Sequence, residues 1–342
     1  IFADVNFVYP NSPAAKAGLK RGDLITHMNG ERMTTDNYTD LYYASQLSLG
    51  LSNDETSEPY ETKTLTAQTY AIDPVLDYGL IPLEHLTIGY MIYTDFVFRG
   101  NTSLAQLNNV FQTLKSANID EFILDLRYNQ GGYIFAVKQL CSLLALEEVV
   151  ENEELLIHKK WNKAYQERYA NDPDRLEEHF DNTVPLDSRL NLKRLWVITS
   201  HVTASASEML ISALSPYMKV NVVGDLTMGK NMGGIIYTPN DKDLQNWNIM
   251  LISTEYSNSR EESVKGGIPP MFPILEQFHH QHQLGDQEEP LLAATLQLIT
   301  QDTIVTPATN SRSGRNIGTD APRRIIPEFV QAKSRLLLGI EN

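Results

Sequence analysis

Four short apolar segments, each separated from the next by other patterns, constrain the fold of this chain more than any other feature. They cover residues 86–93, 122–126, 195–199 and 220–223. They lack the strict alternation of polar and apolar residues that is typical of a strand with one face exposed to water. Helical patterns, with apolar residues three or four positions apart, follow the first three segments. Apolar strands that alternate with helices are typical of a mainly parallel sheet covered by helices. We therefore predict an α/β core.

The 342 residues of the chain are enough for two domains of ordinary size. We predict a small β-rich domain over residues 1–75, because an Asn-Gly pair marks a hairpin there and residues 63–70 alternate between polar and apolar. The α/β core is predicted over 76–300, with a charged insertion at about 147–190 that lies over the sheet. Residues 301–342 have the composition of a linker or an extended arm.

Charge and apolar content argue against two classes of partner. The formal net charge is -15 and the pI is near 5.0, whereas phosphate binding needs a surplus of Lys and Arg, so we predict no nucleic-acid partner. No apolar run approaches the roughly 20 residues that a membrane span needs. The single cysteine, Cys141, lies among leucines and is predicted to be a core thiol. The first residues include neither Met nor a signal peptide, so we expect a truncated or processed chain.

The segment 196–208 is the first candidate for a catalytic turn. It reads WVITSHVTASASE, which is a buried strand, a turn of small residues and the start of a helix. Free amides at a helix N-terminus stabilise developing negative charge, so Ser205 can serve there as the nucleophile of an acyl-transfer enzyme. The alternative is that Thr203, Ser205 and Ser207 only cap the helix. This segment alone leaves both interpretations open.

The segment 222–230, VVGDLTMGK, contains the next strand and its exit loop. A right-handed crossover makes this strand parallel to the one before it, so both exit loops lie at the carboxyl edge of the sheet, where Ser205 and Lys230 can meet. A lysine amine can activate a serine hydroxyl if burial lowers its pKa from about 10.4 to roughly 7–8. The alternative is a solvated surface lysine. The dry surroundings are expected to come from the side chains of Leu226, Met228 and Met232.

The segment 124–132, LDLRYNQGG, leaves a buried strand at the same edge of the sheet. Paired glycines allow backbone amides to approach a ligand closely. The N–H group of Gly131 or Gly132 can therefore form half of an oxyanion hole, with the N–H group of Ala206 as the other half. The alternative is an ordinary glycine turn between a strand and a helix.

Together these three segments resemble the C-terminal processing, or tail-specific, serine peptidase family. In that family the nucleophile is the first Ser of Ser-Ala-Ser-Glu, which corresponds to Ser205, and the base is the Lys of a Gly-Lys loop, which corresponds to Lys230. The Asp-Leu-Arg-x-Asn-x-Gly-Gly turn supplies an oxyanion amide, here that of Gly132 or Gly131. Residues 267–270, GIPP, also resemble a family segment. The resemblance implies a crotonase-like or Clp-protease-like core and a reaction that needs no cofactor or metal.

The N-terminal segment resembles a PDZ domain. Residues 11–19 read NSPAAKAGL, and RGDLI at 21–25 and an Asn-Gly pair follow. The alternative is an unrelated small β-rich domain. The resemblance implies that the C-termini of polypeptides are captured by strand addition, with the carboxylate-binding loop at or before Ile1.

The lysine loop departs from the family pattern at one position. Many members read Gly-Lys-Gly-Thr-Val-Gln, whose Gln orients the Lys, whereas residues 229–234 here read GKNMGG with Gly234 at the Gln position. Either another group, such as Asn231, holds Lys230, or the Ser-Lys pair works unaided.

Histidines are weaker candidates for the chemistry. His201 lies near Ser205 in the sequence, but the Gly-x-Ser-x-Gly elbow of many histidine-assisted serine hydrolases is absent. Residues 279–282, HHQH, lack a clear ligand partner, so a solvated loop is favoured over a metal site.

The sequence thus predicts a serine endopeptidase that cuts polypeptides at or near their C-termini. A peptide-binding scaffold with a degenerate peptidase site is the main alternative. A hydrolase of small esters is the second, although a small substrate gains nothing from a PDZ domain. The family resemblance implies a bacterial location outside the cytoplasm, periplasmic or lipid-anchored, and is compatible with an oligomer.

Overall fold

The N-terminal segment forms a small sheet of its own in this computed structural model. Its elements are β1 (Ala3–Asp4), α1 (Pro13–Lys16), β2 (Leu24–Met28), β3 (Glu31–Arg32), α2 (Tyr38–Tyr42), β4 (Gln46–Ser52) and β5 (Glu61–Thr66). In the sheet, β2 lies between β1 and β4, β4 pairs with β5, and β2 also pairs with β3. The expected Asn-Gly hairpin is confirmed, because Asn29 and Gly30, with φ of 54° and 82°, connect β2 to β3. The structure describes residues 1–42, 45–83, 85–97, 101–240, 242–244, 247–277 and 280–301.

A six-stranded sheet forms the centre of the larger part of the chain. Its strands are β6 (Val75–Pro82), β7 (Thr87–Tyr93), β8 (Glu121–Asp125), β11 (Arg194–Thr199), β12 (Lys219–Gly224) and β15 (Phe272–Pro273). The order is β15-β12-β11-β8-β7-β6, and every neighbouring pair is parallel except β6 with β7. The predicted, mainly parallel α/β core is therefore confirmed.

Helices cover this sheet and supply most of the apolar contacts. They include α3 (Asn101–Ser116), α4 (Ile134–Leu144), α8 (Ala206–Leu214) and α9 (Pro290–Gln301). One cluster of buried side chains joins α3, α4 and α8 to one face of the sheet, and a second joins α9 to the other face. Cys141 belongs to the first cluster and is fully buried, as predicted, and burial raises the pKa of its thiol. Within the described residues, no helix is long and apolar enough to cross a membrane.

A second sheet, antiparallel and four-stranded, was not expected. The charged segment at about 147–190 was predicted as an insertion over the central sheet; it contributes two strands that pair with each other, and one of them also pairs with the hairpin that follows Lys230. The order is β10-β9-β14-β13, with β9 (Leu155–Trp161), β10 (Glu177–His179), β13 (Met232–Tyr237) and β14 (Ile249–Asn258). Three short helices complete the insertion: α5 (Glu147–Glu151), α6 (Lys163–Arg168) and α7 (Pro173–Leu176).

Strand register places the candidate turns side by side. Ile198 of β11 pairs with Asp125 of β8, and Thr199 pairs with Gly224 of β12, so the carboxyl ends of the three parallel strands coincide. The chain leaves each of these ends in one of the three segments that carry candidate residues. The expectation that they share one edge of the sheet is therefore confirmed.

Candidate active site

Ser205 lies at the sharp turn between β11 and α8. Its backbone has φ 58° and ψ -115°, a conformation that a non-glycine residue adopts at a cost of about 1–3 kcal/mol. The side chain of Ser205 is half-buried, whereas Thr203 and Ser207 are fully buried and their hydroxyls donate to main-chain oxygens. Of these three residues, Ser205 is the one that is not fully buried.

The carboxylate of Glu208 joins the turn between β11 and α8 that carries Ser205 (the serine turn) to the exit loop of β12 that carries Lys230 (the lysine loop). It is completely buried, and its Oε2 accepts hydrogen bonds from the N–H groups of Ser205 and Lys230, both at 2.8 Å. Its Oε1 accepts from the N–H of Gly229 and the hydroxyl of Thr227, both at 2.5 Å. Because Oε2 is shared, the amide nitrogens of Ser205 and Lys230 lie at most twice 2.8 Å apart. The backbones of the two candidate catalytic residues are therefore neighbours.

The side chain of Lys230 does not lie in the dry surroundings that were expected. Lys230 is exposed, and Leu226, Met228 and Met232 are 45%, 44% and 44% exposed. These apolar side chains flank the lysine in sequence but face water. The expectation is wrong for the chain alone, because the exit loop of β12 lies at the rim of the fold and no described element covers it.

Gly131 lies where the turn after β8, which carries Gly131 and Gly132 and is called the oxyanion turn below for its proposed role, closely contacts the serine turn. Its φ is 100°, and a Cβ atom there would lie 2.7 Å from Cβ of Ser205 and 2.8 Å from N of Ala206. No side chain fits in that space, so glycine is required. Its N–H donates to Oδ1 of Asn129 at 2.9 Å and is not available to a substrate.

Gly132 and Ala206 provide the remaining candidate amides. Gly132 forms a parallel bridge with Phe96, in which the N–H of Phe96 donates to Gly131 and the oxygen of Phe96 accepts from Tyr133. Among the described residues, no hydrogen bond is recorded for the N–H groups of Gly132 or Ala206. Ala206 begins α8, where N–H groups have no intrahelical acceptor. Among the described residues, the N–H groups of Gly132 and Ala206 are therefore available to a ligand, whereas that of Gly131 is not.

Asn129 fixes the two turns relative to each other. It is fully buried, its Nδ2 donates to the oxygen of Tyr93 at 2.8 Å, and its own main-chain oxygen accepts from the N–H of Ala204 at 3.1 Å and the hydroxyl of Ser207 at 3.0 Å. Sequence reasoning assigned no role to Asn129 or Glu208. The signal for Glu208 was present, since Ser-x-x-Glu at the start of a helix is the pattern of a capping box.

Among the described residues, no side-chain hydrogen bond to the ammonium group of Lys230 is recorded, from Asn231 or from another group. A Cβ atom at Gly234 would lie 2.1 Å from the main-chain oxygen of Leu251 in the neighbouring strand. The side-chain amide of Asn231 donates to the hydroxyl of Ser263 at 3.1 Å. Lys230 is instead held through its main-chain N–H, by Glu208.

The histidines lie away from this arrangement. His201 is 59% exposed, its Nδ1 lies 4.0 Å from the carboxylate of Asp225, and no hydrogen bond to Ser205 is recorded in the described part of the chain. Nδ1 of His282 lies 3.0 Å from the carboxylate of Asp286, and that of Glu288 is nearby, but both carboxylates are exposed. His279 lies outside the described residues. We assign no metal to this surface group.

A buried charged cluster connects the oxyanion turn to the N-terminal domain. Arg127, which is 1% exposed, donates to Glu289 at 2.7 Å and to Glu276 at 3.0 Å. Arg21 of the N-terminal domain donates to the same Glu276 at 2.7 Å and to the hydroxyl of Tyr128 at 2.5 Å. The turn that carries Gly131 and Gly132 is thus anchored by charges from both parts of the chain.

The carboxyl groups of this cluster are held in their ionised form. Burial by itself raises the pKa of Glu276, but the charge of Arg127 and the hydrogen bonds from Tyr128 and Arg21 outweigh burial, so the pKa lies below its ordinary value. Burial also raises the pKa of Glu289, and the hydrogen bond and charge of Arg127 again outweigh it. Both carboxylates therefore stabilise the folded state as anions.

Comparison with known proteins finds relatives of both parts of the chain. The model of a PDZ domain matches residues 5–47. A "Carboxyl-terminal-processing protease" of Picosynechococcus sp. is 23% identical over 300 residues, which are 86% of this chain and 66% of the relative. "Carboxy-terminal processing protease CtpB" of Bacillus subtilis is 27% identical over 65% of this chain and 42% of the relative. The chain thus spans between about two fifths and two thirds of the length of these relatives.

The fold also has a solved counterpart. A crystal structure assigned to the S41 proteases, from Bacteroides fragilis NCTC 9343, superposes with a TM-score of 0.74 at 26% identity and covers 88% of this chain and 79% of that one. The model of "Peptidase family S41" matches residues 87–273, which include all five candidate site residues and more than half of the chain. Because this match covers more than half of its residues, the chain belongs to peptidase family S41.

Proposed function

We propose that this protein is a serine endopeptidase that cleaves polypeptides at or near their C-termini, with Ser205 as the nucleophile and Lys230 as the general base. The observation that supports the pair most strongly is the shared hydrogen-bond acceptor, Oε2 of the buried Glu208, which binds the N–H groups of both residues. A buried carboxylate with four donors is a rigid anchor, because each hydrogen bond to a charged group contributes about 1.5–3 kcal/mol. The bond from Ser205 is also that of a capping box, so the support for the pair comes from the two bonds by which the same carboxylate holds the N–H groups of Gly229 and Lys230 in the lysine loop.

In the proposed reaction, the neutral amine of Lys230 takes the hydroxyl proton of Ser205 as Oγ attacks the scissile carbonyl carbon. The N–H groups of Gly132 and Ala206 donate to the oxyanion that forms. The lysine then passes the proton to the departing amine nitrogen as the C–N bond breaks. The same lysine then deprotonates a water molecule that attacks the acyl carbon; the bond from this carbon to Oγ of Ser205 breaks, and the proton returns from the lysine to Oγ, which restores the free enzyme.

The exposure of Lys230 suggests that the substrate completes its surroundings. Leu226, Met228 and Met232 are nearly half exposed beside the lysine, and an extended polypeptide across the site would cover them. Removing water in this way favours the neutral amine, which is the form that acts as a base. Catalysis then depends on a bound polypeptide, in keeping with a peptidase rather than a hydrolase of small esters.

The N-terminal domain is proposed to capture the C-terminus of the substrate by strand addition. A division near residue 75 is supported by the strands, since the first sheet ends at Thr66 and the central sheet begins at Val75. The ring of Phe7 stacks on Tyr128 at 5.7 Å, so this domain lies against the oxyanion turn. From family resemblance we further propose a bacterial location outside the cytoplasm, in the periplasm or anchored to the envelope by lipid.

The second candidate function is a peptide-binding scaffold with a degenerate site. The observations that favour it are Gly234 at the position of the orienting Gln and the exposure of Lys230. It predicts peptide binding without turnover, whereas a peptidase turns over the peptide that it binds.

Covalent labelling of the active serine tests the proposal. A serine-directed fluorophosphonate should modify Ser205, as read by peptide mass spectrometry, and Ser205→Ala should abolish both labelling and cleavage of a reporter peptide. Ser207→Ala is the matched control. Its hydroxyl donates to Asn129 at 3.0 Å, so the variant should lose about 0.5–1.5 kcal/mol of stability but remain active. Peptide binding with no labelling and no cleavage would favour the scaffold, and full activity of Ser205→Ala would exclude this nucleophile.

A further inference from the structure

The segment that starts at His280 holds the N-terminal domain against the rest of the chain. Nε of Arg21 donates to the main-chain oxygen of His282 at 3.1 Å, and the side-chain amide of Gln283 donates to the main-chain oxygen of Arg21 at 3.2 Å. A Cβ atom on Gly22 would lie 2.1 Å from the main-chain oxygen of His280, so the two backbones touch. We call this contact the domain junction.

The ring of His280 lies inside the domain junction. Its side chain is 6% exposed, Nε2 lies 3.3 Å from Oδ1 of Asn6 in the N-terminal domain, and Nδ1 lies 4.0 Å from Oε1 of Glu276. With Nε2 as the donor to Asn6, Nδ1 is the nitrogen that takes up a proton from solvent when the ring becomes charged. The hydrogen added in this way lies on the side of Glu276.

Glu276 has little capacity left for that hydrogen. Its Oε1 already accepts from Arg21 at 2.7 Å, from Arg127 at 3.0 Å and from the hydroxyl of Tyr128 at 2.6 Å. One oxygen of a carboxylate offers about two lone-pair sites. A charged His280 ring would therefore lie close to two guanidinium groups with no free acceptor site on Glu276.

Charged groups from both parts of the chain act on the ring. Burial is the largest cause and lowers the pKa of His280, and the positive charge of Arg21 lowers this pKa as well. The negative charges of Glu276 and Asp4 raise the pKa of the ring, and the charge of Arg127 lowers it. The balance leaves the pKa of His280 below its ordinary value of 6.5, so the closed junction favours the neutral ring.

The domain junction continues into the oxyanion turn. Arg21 donates to the hydroxyl of Tyr128 at 2.5 Å, and the ring of Phe7 stacks on Tyr128 at 5.7 Å. Tyr128 is three positions before Gly131 in the chain. A loosening of the junction therefore reaches the oxyanion turn through Tyr128.

We propose that His280 is a positioning residue whose protonation loosens the domain junction and, through Tyr128, the oxyanion turn. The neutral ring fills the junction and contacts Asn6. The charged ring can stay there only without its hydration, so it moves into water and the contacts of its segment with the N-terminal domain weaken. The inference about the junction is independent of catalysis, whereas its effect on cleavage rests on the proposed peptidase function.

The direction and the pH range of this effect follow from linkage. A ring whose pKa is lower in the closed junction than in water stabilises the junction fully above about pH 6.5. This contribution is lost as the pH falls below that value, by up to about tenfold in the closure constant per pH unit, until the lower pKa is reached. The pKa values of Glu276 and Glu289 lie below about 4.3, so these carboxylates titrate in a different range.

Exchange of the C2 hydrogen of histidine rings tests the first step. Followed by peptide mass spectrometry on the full chain, it measures the pKa of each ring separately. The pKa of His280 should lie below 6.5, because burial disfavours the charged ring. A pKa of 6.5 or higher would overturn the proposal.

Amide hydrogen exchange tests the effect on the oxyanion turn. The N–H of Phe96 donates to Gly131 and the N–H of Tyr133 donates to Phe96, so both amides report whether the turn is in place. After correction for the intrinsic rate, their protection should fall at least about threefold from about pH 7.5 to about pH 5.5 in the wild type. It should change less than about 1.5-fold in His280→Gln, which stays neutral and can still donate to Asn6. Protection of β8 should stay constant in both proteins.

His282→Gln is the matched control, because it changes a histidine of the same segment but keeps the main-chain oxygen that accepts from Arg21. It should follow the wild type. Protection that is independent of pH in the wild type, or that falls equally in His280→Gln, would overturn the proposal. If His280→Gln does not fold, the pKa of His280 and the wild-type protection still decide.

Cleavage of a polypeptide substrate separates this inference from the proposed function. The ratio of kcat/KM in His280→Gln to that in the wild type should rise at least about threefold from about pH 7.5 to about pH 5.5, since the titration of Lys230 cancels in the ratio. A constant ratio would overturn the proposal. The expected exchange without any cleavage would support the junction and overturn the peptidase function, and cleavage with protection that does not depend on pH would do the reverse.

Discussion

Replacement of Glu208 by Gln is the sharpest single test of how this site is held together. Glutamine has nearly the same shape, so the change removes charge and one acceptor atom without opening a cavity. Oε1 and Oε2 each accept two hydrogen bonds in the structure. In Glu208→Gln one of these atoms becomes an NH₂ group, which cannot accept, so two of the four donors lose their partner.

The magnitude follows from those two lost bonds. Each hydrogen bond to a buried charged group contributes about 1.5–3 kcal/mol, so Glu208→Gln should lower the free energy of unfolding by about 3–6 kcal/mol. If the NH₂ group replaces Oε2, the N–H groups of Ser205 and Lys230 both lose their acceptor. If it replaces Oε1, the donors that lose their acceptor are the N–H of Gly229 and the hydroxyl of Thr227, so the lysine loop is loosened in either orientation of the amide. A displacement of about 1 Å in a catalytic group lowers the rate roughly 100-fold. We expect kcat to fall about 100-fold and KM to change little.

Glu121→Gln is the matched control for this experiment. Glu121 is 8% exposed at the opposite end of β8, and it accepts from Nε of Arg194 at 2.6 Å and Nε1 of Trp196 at 3.2 Å. It should lose stability while kcat stays within about threefold of wild type. Both variants are compared at equal folded fraction, by chemical denaturation and by steady-state cleavage of one reporter peptide. A kcat of Glu208→Gln no lower than that of Glu121→Gln would refute the anchoring role of Glu208.

Three further changes probe the base, the oxyanion turn and the charged cluster. Arginine cannot release its proton at usable pH, so Lys230→Arg should be as inactive as Lys230→Ala in a reporter-peptide assay, while His201→Ala should stay active; the reverse pattern would favour a histidine base. Gly131→Ala should lower kcat at least about 100-fold, because its Cβ atom would lie 2.7 Å from that of the nucleophile; an unchanged kcat would contradict this packing. The lowered pKa values of Glu276 and Glu289 contribute stability that is complete above the ordinary value of about 4.3 and is lost as the pH falls towards the folded-state values. The melting temperature should therefore fall more steeply between about pH 5 and pH 3 in the wild type than in Glu276→Gln, and parallel curves would contradict the cluster's role.

Local patterns in the sequence were sufficient to predict the position of the site. Each candidate segment contains an apolar strand and its own exit turn, and the right-handed crossover rule makes β11 and β12 parallel neighbours. The adjacency of Ser205 and Lys230 follows from these two facts without any long-range information. The catalytic roles themselves remain predictions.

The second sheet could not be predicted in the same way, because its pairing is not local. Residues of β9 pair with residues of β14 that are almost a hundred positions later, and no short-range pattern specifies that partner. The register matters for the site, since this sheet fixes where the hairpin after Lys230 runs. The exposure of Lys230 could not be predicted for the same reason. Apolar side chains that flank a lysine in the sequence give it dry surroundings only if another element of the fold covers them, and that is a long-range contact.

Position 234 bears on how Lys230, the proposed base, can be held without the glutamine that many members of the family have. The pairing of β13 with β14 shifts register between Gly233 and Gly234, and at Gly234 the neighbouring backbone comes too close for any side chain. The loop is fixed by main-chain contacts instead: the N–H of Thr227 donates to the oxygen of Ile268 at 3.3 Å, and the hydroxyl of Thr227 accepts from the N–H of Ile268 at 2.7 Å. With the N–H groups of Gly229 and Lys230 on Glu208, the backbone at the base is held from two sides while the side chain stays free to meet the substrate. A lysine positioned in this way depends less on a partner side chain than on the rigidity of its loop, so the loss of the glutamine is compatible with catalysis.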